Sequence, residues 1–256
     1  MVRKDVTFIE EDLINYYRDE VKRSDWREVV NKRLEFRRGK TIIQRIKKQV
    51  KLDGLDILDV GSGCGELLYE LSESKYKVNS VTGLEPNETL NKICKKLLKG
   101  RKNVNVTRDS GERIPFENDK FDLVICYTVL EHVQDYKILV NEMLRVLKPK
   151  GKLYLYIPNY LYPYEGHYNI FFPSILGKNI CSLYLNLRGI NPNFYKTDIF
   201  HRYSVEVKRY LNSRNTQVND ISKQTYINSK NLFKKVLGFF DLYPNMEYIV
   251  EKSPKE

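Results

Sequence analysis

An apolar strand that runs straight into a glycine loop constrains this chain more than any other feature. Residues 57–68 read ILDVGSGCGELL, with Gly61, Gly63 and Gly65 at alternate positions. Glycine at every second position strips away side chains and permits positive φ, which suits a backbone that must approach a ligand closely. A dinucleotide loop reads G-x-G-x-x-G, its third glycine letting the helix pack on the strand. Here the spacing is G-x-G-x-G, and no Gly-Lys-Ser/Thr follows, which argues against a phosphate-binding P-loop. The loop suits a ligand that needs shape and backbone donors without a phosphate-reading lysine. Asp59 stands two residues before the first glycine, still on the strand. Glu85 follows Gly65 by twenty residues and ends the next apolar stretch, VTGLEPNE. A carboxylate there can accept the hydroxyl protons of a ribose, or cap the helix that begins after Pro86.

Short apolar strands alternate with helical periods from 57 to 157. Strands are predicted over 57–60, 80–84, 104–107, 123–126 and 152–157, and helices over 66–72, 88–98 and 137–147. In the last of these, Leu139, Met143 and Leu147 form one apolar stripe. Such βαβ alternation predicts a Rossmann-like α/β fold, a mostly parallel sheet with helices on both faces and right-handed crossovers. Ligands in such sheets bind outside the carboxyl ends of the strands. Residues 1–50 are predicted to form an N-terminal helical cap, with Ile42, Ile43, Ile46 and Val50 on one face and a run of basic residues on the other. Residues 51–256 form the main domain. Within it, 158–203 read as an irregular, aromatic lid after the fifth strand, broken by Pro158, Pro163, Pro173 and Pro192. Helices are predicted again over 204–213 and 231–240, and a last strand over 247–251.

The formal charge of +11 is unevenly distributed. Residues 1–50 hold 14 basic and 9 acidic groups, a balance of +5; residues 51–150 hold 16 of each; residues 151–256 hold 14 and 8, a balance of +6. Basic flanks of this kind can face RNA, an anionic membrane or an acidic small molecule, or serve solubility alone. The four cysteines never fall as C-x-x-C, which argues against a zinc knuckle or redox pair. No apolar run approaches the ~20 residues that span a bilayer, and the N-terminus lacks the apolar stretch of a signal peptide. A cytoplasmic protein is predicted, with room for peripheral membrane contact.

Taken in order, DVGSGCG at 59–65, Glu85, GERIPFENDKFDLVICYTVLEHV and LRVLKPKGKLYLYIPN resemble the class I S-adenosylmethionine-dependent methyltransferases, and within them the methyltransferase type 11 group. The resemblance covers about residues 52–158. It implies a seven-stranded sheet with strand seven antiparallel, and S-adenosylmethionine as cofactor. It places Gly61, Ser62, Gly63 and Gly65 at the methionine moiety with Asp59 close by, and Glu85 at the ribose. Leu84 or Pro86 flanks the adenine, and Tyr127 lies at the end of the fourth strand beside the cofactor. The family usually carries an Asp about six residues before the phenylalanine of its PF pair. That position is Ser110 here, with Asp109 one earlier, so either is a candidate for the adenine amine.

Methyl transfer is an in-line displacement that depends on positioning, and an oxygen or nitrogen nucleophile often needs a base to remove its proton. The chain has three histidines. His132, in LEHV after the fourth strand, is either a base or a residue that shapes the cofactor site. Glu165 and His167, drawn together by Gly166 in the lid, are either an acceptor-side base pair or a lid's own hydrogen bond. His201 is read as structural. The quinone O-methyltransferases, which this stretch also resembles, carry an acidic metal ligand where this chain has Thr128, so no metal is expected. Cys126 follows isoleucine rather than the proline of cytosine-5 enzymes and is read as a buried strand residue. The lid resembles a segment of type 11 proteins often encoded among glycan and lipid-linked saccharide biosynthesis enzymes. A small-molecule, glycan or lipid-linked acceptor is therefore expected, methylated at oxygen. An RNA or protein methyltransferase using the basic flanks is the rival reading, and a non-catalytic cofactor-binding scaffold the third.

Overall fold

The computed structural model describes residues 4–23 and 25–254. The chain divides into two compact units, one ending at Ile125 and the other beginning at Cys126. The first opens with a 3-10 helix (Lys4–Ile9), followed by α1 (Glu10–Ile14), a π-helical turn (Asn15–Glu20), α2 (Trp26–Leu34) and α3 (Arg37–Ile46). It continues through β1 (Asp56–Val60), α4 (Glu66–Leu71), β2 (Ser80–Leu84), α5 (Glu88–Leu97), β3 (Val104–Thr107) and most of β4 (Phe121–Tyr127). β1, β2 and β3 pair in parallel, with Asp59 opposite Gly83 and Leu84 opposite Thr107. Ile57, Leu58, Val81, Leu84, Leu123 and Val124 are wholly buried between the sheet faces and the helices. α3 buries Ile42, Ile43 and Ile46, the face its periodicity predicts. It packs on α4 where Gly39 lies so close that a Cβ would stand 2.7 Å from the Glu66 carbonyl oxygen.

The second unit begins at the end of β4 and contains α6 (Tyr136–Val146), β5 (Leu147–Pro158), β6 (Tyr164–Glu165), β7 (Ile170–Phe171), α7 (Lys178–Leu187) and α8 (Asn193–Asp198). α9 (Ser204–Asn212), β8 (Thr216–Asp220), α10 (Ile221–Ile227), α11 (Leu232–Phe239) and β9 (Asn245–Lys252) complete it. Seven strands form one sheet in the order β3-β2-β1-β4-β5-β9-β8. β9 runs antiparallel to both β5 and β8. This is the predicted seven-stranded, mostly parallel Rossmann-like fold.

Two stretches depart from the sequence reading. Residues 158–203 are not irregular: they fold as the β6–β7 hairpin, α7 and α8 around a core of Tyr160, Phe172, Cys181, Leu185, Tyr195 and Ile199. The prolines that suggested an irregular lid sit outside the helices, Pro192 at the cap of α8 and Pro173 before a short 3-10 turn. β8, TQVND, has no apolar alternation of its own and becomes a strand by pairing with β9, Val218 opposite Val250. Among the described residues no helix is long and apolar enough to cross a membrane.

Candidate functional site

The turn after β1 is built almost wholly from backbone. Gly61, Gly63 and Gly65 have φ of 76°, 57° and 90°, and Gly65 caps α4 from this left-handed conformation. The Gly61 and Ser62 amides both donate to the Leu84 carbonyl, each at 2.9 Å. The Gly63 amide donates to Glu85 Oε2 at 2.8 Å, and the Asn87 amide donates to Oε1 at 2.9 Å. Glu85 thus ties the loop to the end of β2, while each oxygen keeps acceptor capacity for a further donor. Burial pushes its carboxyl above the usual range, and these two backbone donors pull it back. Leu84 is fully buried and acts through its carbonyl, whereas Pro86 is exposed.

Asp59 lies 4 % exposed on β1. Burial pushes its carboxyl up to about 7, Arg38 opposing the rise and Glu85 adding to it. Of the two adjacent arginines, Arg37 is exposed and pairs with Glu35, while Arg38 is half-buried and acts electrostatically on Asp59. Burial likewise pushes the Cys64 thiol up to about 12, so it stays protonated. None of the four cysteines forms a disulfide, and all are buried. Asp109 and Ser110 are half-buried beyond β3, with the Ser110 hydroxyl accepting from the Glu112 amide at 3.2 Å.

The N-terminal helices supply side chains that sequence reasoning missed. Arg33 donates to Glu66 at 2.5 Å and to the Tyr17 hydroxyl at 3.1 Å. Glu20 accepts from the Thr89 hydroxyl at 3.0 Å, and Asp12 pairs with Lys96 at 2.6 Å, so the π-helical turn and α1 are both fastened to α5. Tyr16 lies near enough to Glu85 to feel its charge. Burial, then Tyr17 and Glu85, raise its phenol to about 12. NYYRDE carries no motif that would mark these roles.

In the second unit, Tyr127 stacks on Tyr156 with centroids 4.4 Å apart. His132 ends a 3-10 turn (Leu130–His132) after β4, and its Nδ1 lies 2.9 Å from the Asp198 carbonyl oxygen. His167 lies in the β6–β7 turn, its Nδ1 2.6 Å from Glu165 Oε1. Glu165 is 1 % exposed. Burial works to raise its carboxyl, but the His167 ring and the amides of Tyr168 and His167 hold it below the ordinary range. The His132 and His167 rings meet edge to face at 5.6 Å, with Phe194 against both. His201 is separate: it stacks on Tyr160, bonds the Tyr195 hydroxyl at 2.6 Å, and burial lowers it to about 4.

Residues 58–155 match the family model described as a methyltransferase domain. Over 110 residues the chain is 36% identical to demethylmenaquinone methyltransferase of Lactococcus lactis, covering 42% of this chain and 44% of that protein. The chain thus spans about half the length of the curated relatives it matches. Among solved structures, YcgJ of Bacillus subtilis superposes with a TM-score of 0.58 at 16% identity, over 84% of this chain and 99% of that one. An S-adenosylmethionine-dependent methyltransferase of Mesorhizobium loti gives 0.59 at 14% identity, over 84% and 98%. Residues 58–155 thus carry a methyltransferase domain, on the fold that these two solved structures share. This methyltransferase segment contains Asp59, the glycine loop, Glu85, Asp109, Ser110, Tyr127 and His132, and ends before Glu165 and His167.

Proposed function

We propose that this chain transfers the methyl group of S-adenosylmethionine to an oxygen of an apolar small-molecule or lipid-linked acceptor. The observation that carries the cofactor half is Glu85, a buried carboxylate that fastens the glycine loop and keeps acceptor sites for a ribose. The cofactor is cationic and has no phosphate, and the loop fits that chemistry, with two acids and no lysine among residues 59–65 and 85. Asp59 and Gly61 to Gly65 hold the methionine end, with Arg38 toward its carboxylate. Glu85 holds the ribose, Pro86 lies against the adenine, and Asp109 or Ser110 reaches its amine. The residues before Trp26 act as a cap through Tyr16 and Glu20.

The acceptor half rests on Glu165, His167 and His132, which activate the acceptor hydroxyl. In the transfer its oxygen forms a bond to the methyl carbon, the carbon–sulfur bond breaks with its electrons going to sulfur, and the hydroxyl proton is released. The name of the Lactococcus relative points to a small apolar acceptor, demethylmenaquinone. An apolar acceptor also accounts for the surface of the second unit. Leu232, Phe233, Phe239 and Phe240 of the α11 region are 61–75 % exposed, beside the exposed Lys230, Lys234 and Lys235. An apolar face of this kind in a water-facing helix marks an interaction site. Its lysines match an anionic lipid surface.

The test is transfer of labelled methyl from S-adenosylmethionine into a cell extract split into organic-soluble, aqueous, protein and nuclease-sensitive fractions. Label in the organic fraction is the expected result, together with sedimentation on phosphatidylglycerol vesicles but not on phosphatidylcholine vesicles. Label confined to nuclease-sensitive material overturns the reading in favour of RNA.

A further inference from the structure

We infer that Glu131, His132 and His167 hold a single divalent cation, which deepens the proposed oxygen transfer and rests on it for its role. Sequence reading expects no metal, because Thr128 stands where an acidic ligand would be. The fold supplies another donor, 35 positions downstream of His132.

One ligand atom from each of the three residues lies within 4.8 Å of the others. Glu131 is fully buried, whereas the His132 and His167 side chains are 36 % and 25 % exposed. The donor set is therefore closed on the carboxylate side and open on the imidazole side. A tetrahedral ion with bonds of about 2.0–2.1 Å sets its donors roughly 3.4 Å apart, a contraction that small side-chain rotations supply.

The hydrogen bonds select the tautomers that ligation needs. Asp198 offers a carbonyl oxygen, which can only accept, so His132 Nδ1 carries the proton and Nε2 the lone pair. Glu165 Oε1 lies 2.6 Å from His167 Nδ1, and with that oxygen accepting, His167 donates from Nδ1 and again presents Nε2. Glu165 is itself immobilised by the Tyr160 hydroxyl at 3.1 Å and by the amides of His167 at 2.6 Å and Tyr168 at 3.1 Å. A ligating histidine whose other nitrogen is fixed by a carboxylate or carbonyl is the usual arrangement around metals. The Glu131 main chain is likewise pinned, its carbonyl accepting from the Phe200 amide at 2.7 Å.

Arg202 feels the charge of Glu131 from a packed element. Its guanidinium donates to the carbonyls of Leu130, Val133 and Gln134. Two neutral imidazoles and one carboxylate carry a net charge of −1, which suits a dication. Nitrogen and oxygen donors with open positions fit Zn²⁺ or Co²⁺, as in catalytic zinc sites with two histidines and a glutamate. An acceptor hydroxyl bound at an open position loses its proton to solvent more readily, and the resulting oxygen anion is the nucleophile for the methyl carbon. Glu165 is a positioning residue, which acts through the His167 ring.

The experiment is titration of chelator-stripped full-length protein with CoCl₂ in the absence of cofactor, read by visible absorption. One Co²⁺ per chain, with a d–d band that Zn²⁺ displaces, is expected. His132→Ala and His167→Ala each abolish the band. Glu165→Gln keeps the band shape while weakening Co²⁺ binding about 10- to 100-fold. Failure of the native protein to bind Co²⁺ stoichiometrically overturns the site, as does unchanged binding in the His132→Ala/His167→Ala double variant. Should the alanine variants also lose S-adenosylhomocysteine binding through misfolding, Glu165→Gln decides, and unchanged Co²⁺ affinity there overturns the inference. Chelator-resistant methyl transfer by protein that binds no Co²⁺ would leave the proposed activity standing without the metal. Stoichiometric Co²⁺ binding without any methyl transfer would leave the site standing and remove the activity.

Discussion

The turn after β1 and the turns after β4 and β5 are built by opposite means. The first is made of backbone: three glycines at positive φ, held by the Leu84 carbonyl and the Glu85 carboxylate, all within 25 positions of one another. The second is made of side chains: Glu131, His132, Glu165 and His167, oriented by Asp198 and Tyr160. Backbone cradles suit a cofactor whose shape never changes. Side-chain clusters, with tautomers and charges to set, suit the atom that reacts. The contrast implies that damage to each region has a different signature.

The largest effect should come from the side-chain cluster. His167→Ala is expected to lower turnover about 10²- to 10⁴-fold, the span that loss of an activating group usually costs. S-adenosylhomocysteine affinity, measured by calorimetry, should stay within twofold of the native value. Parallel losses in both quantities would erase the distinction between the two regions.

Damage to the backbone cradle should appear first as instability. A Cβ at Gly65 would meet Cys94 Sγ at 2.6 Å, at a φ of 90° that side chains rarely adopt. Gly65→Ala is therefore expected to destabilise the fold by about 2–4 kcal/mol, from backbone strain and overpacking together. Urea denaturation measures this, and a loss below about 0.5 kcal/mol would show that the turn tolerates a side chain. Glu85→Ala comes next, weakening S-adenosylhomocysteine by roughly 1–3 kcal/mol through lost charged hydrogen bonds. Unchanged affinity would remove Glu85 from the site.

The smallest effect is a pH dependence within the cradle. Burial raises the Asp59 carboxyl to about 7, so its neutral form favours the ligand-free fold. That contribution is fully present below the ordinary carboxylate value and is lost as pH rises through about 7. A cationic cofactor favours the ionised form, so its affinity should rise between about pH 6 and pH 8. Asp59→Asn should flatten both trends. Should calorimetry find the same slope in Asp59→Asn, a different group carries the proton linkage.

Much of this was legible before any coordinates. The G-x-G-x-G loop, Asp59 and Glu85 are local: a strand, a turn and the end of the neighbouring strand bring them together with no long-range packing decision. α3 was legible for the same reason, since Ile42, Ile43 and Ile46 declare their buried face by spacing. Residues 158–203 were not. Their prolines and aromatics resemble a loop, and only packing of Tyr160, Phe172, Cys181 and Leu185 on one another turns them into a hairpin and two helices. β8 was missed because its strand character comes from β9 and not from its own side chains. Tyr16 and Arg33 carried no signal, because their roles depend on Glu85 and Glu66 lying across a helical interface.

Strand periodicity and a glycine turn are short-range properties of the chain, so the Rossmann-like sheet and the type of cofactor were legible in the sequence. Only the tertiary structure decided which histidines share a site. His132 and His167 meet because the β6–β7 hairpin folds back toward the turn after β4, whereas His201 is drawn off to Tyr195 and Tyr160. The sequence sets His201 apart as structural, but nothing in the spacing of the three histidines joins His132 to His167. The difference lies in which ring nitrogen faces a carbonyl, a carboxylate or a phenol, and that depends on packing between segments far apart in the chain.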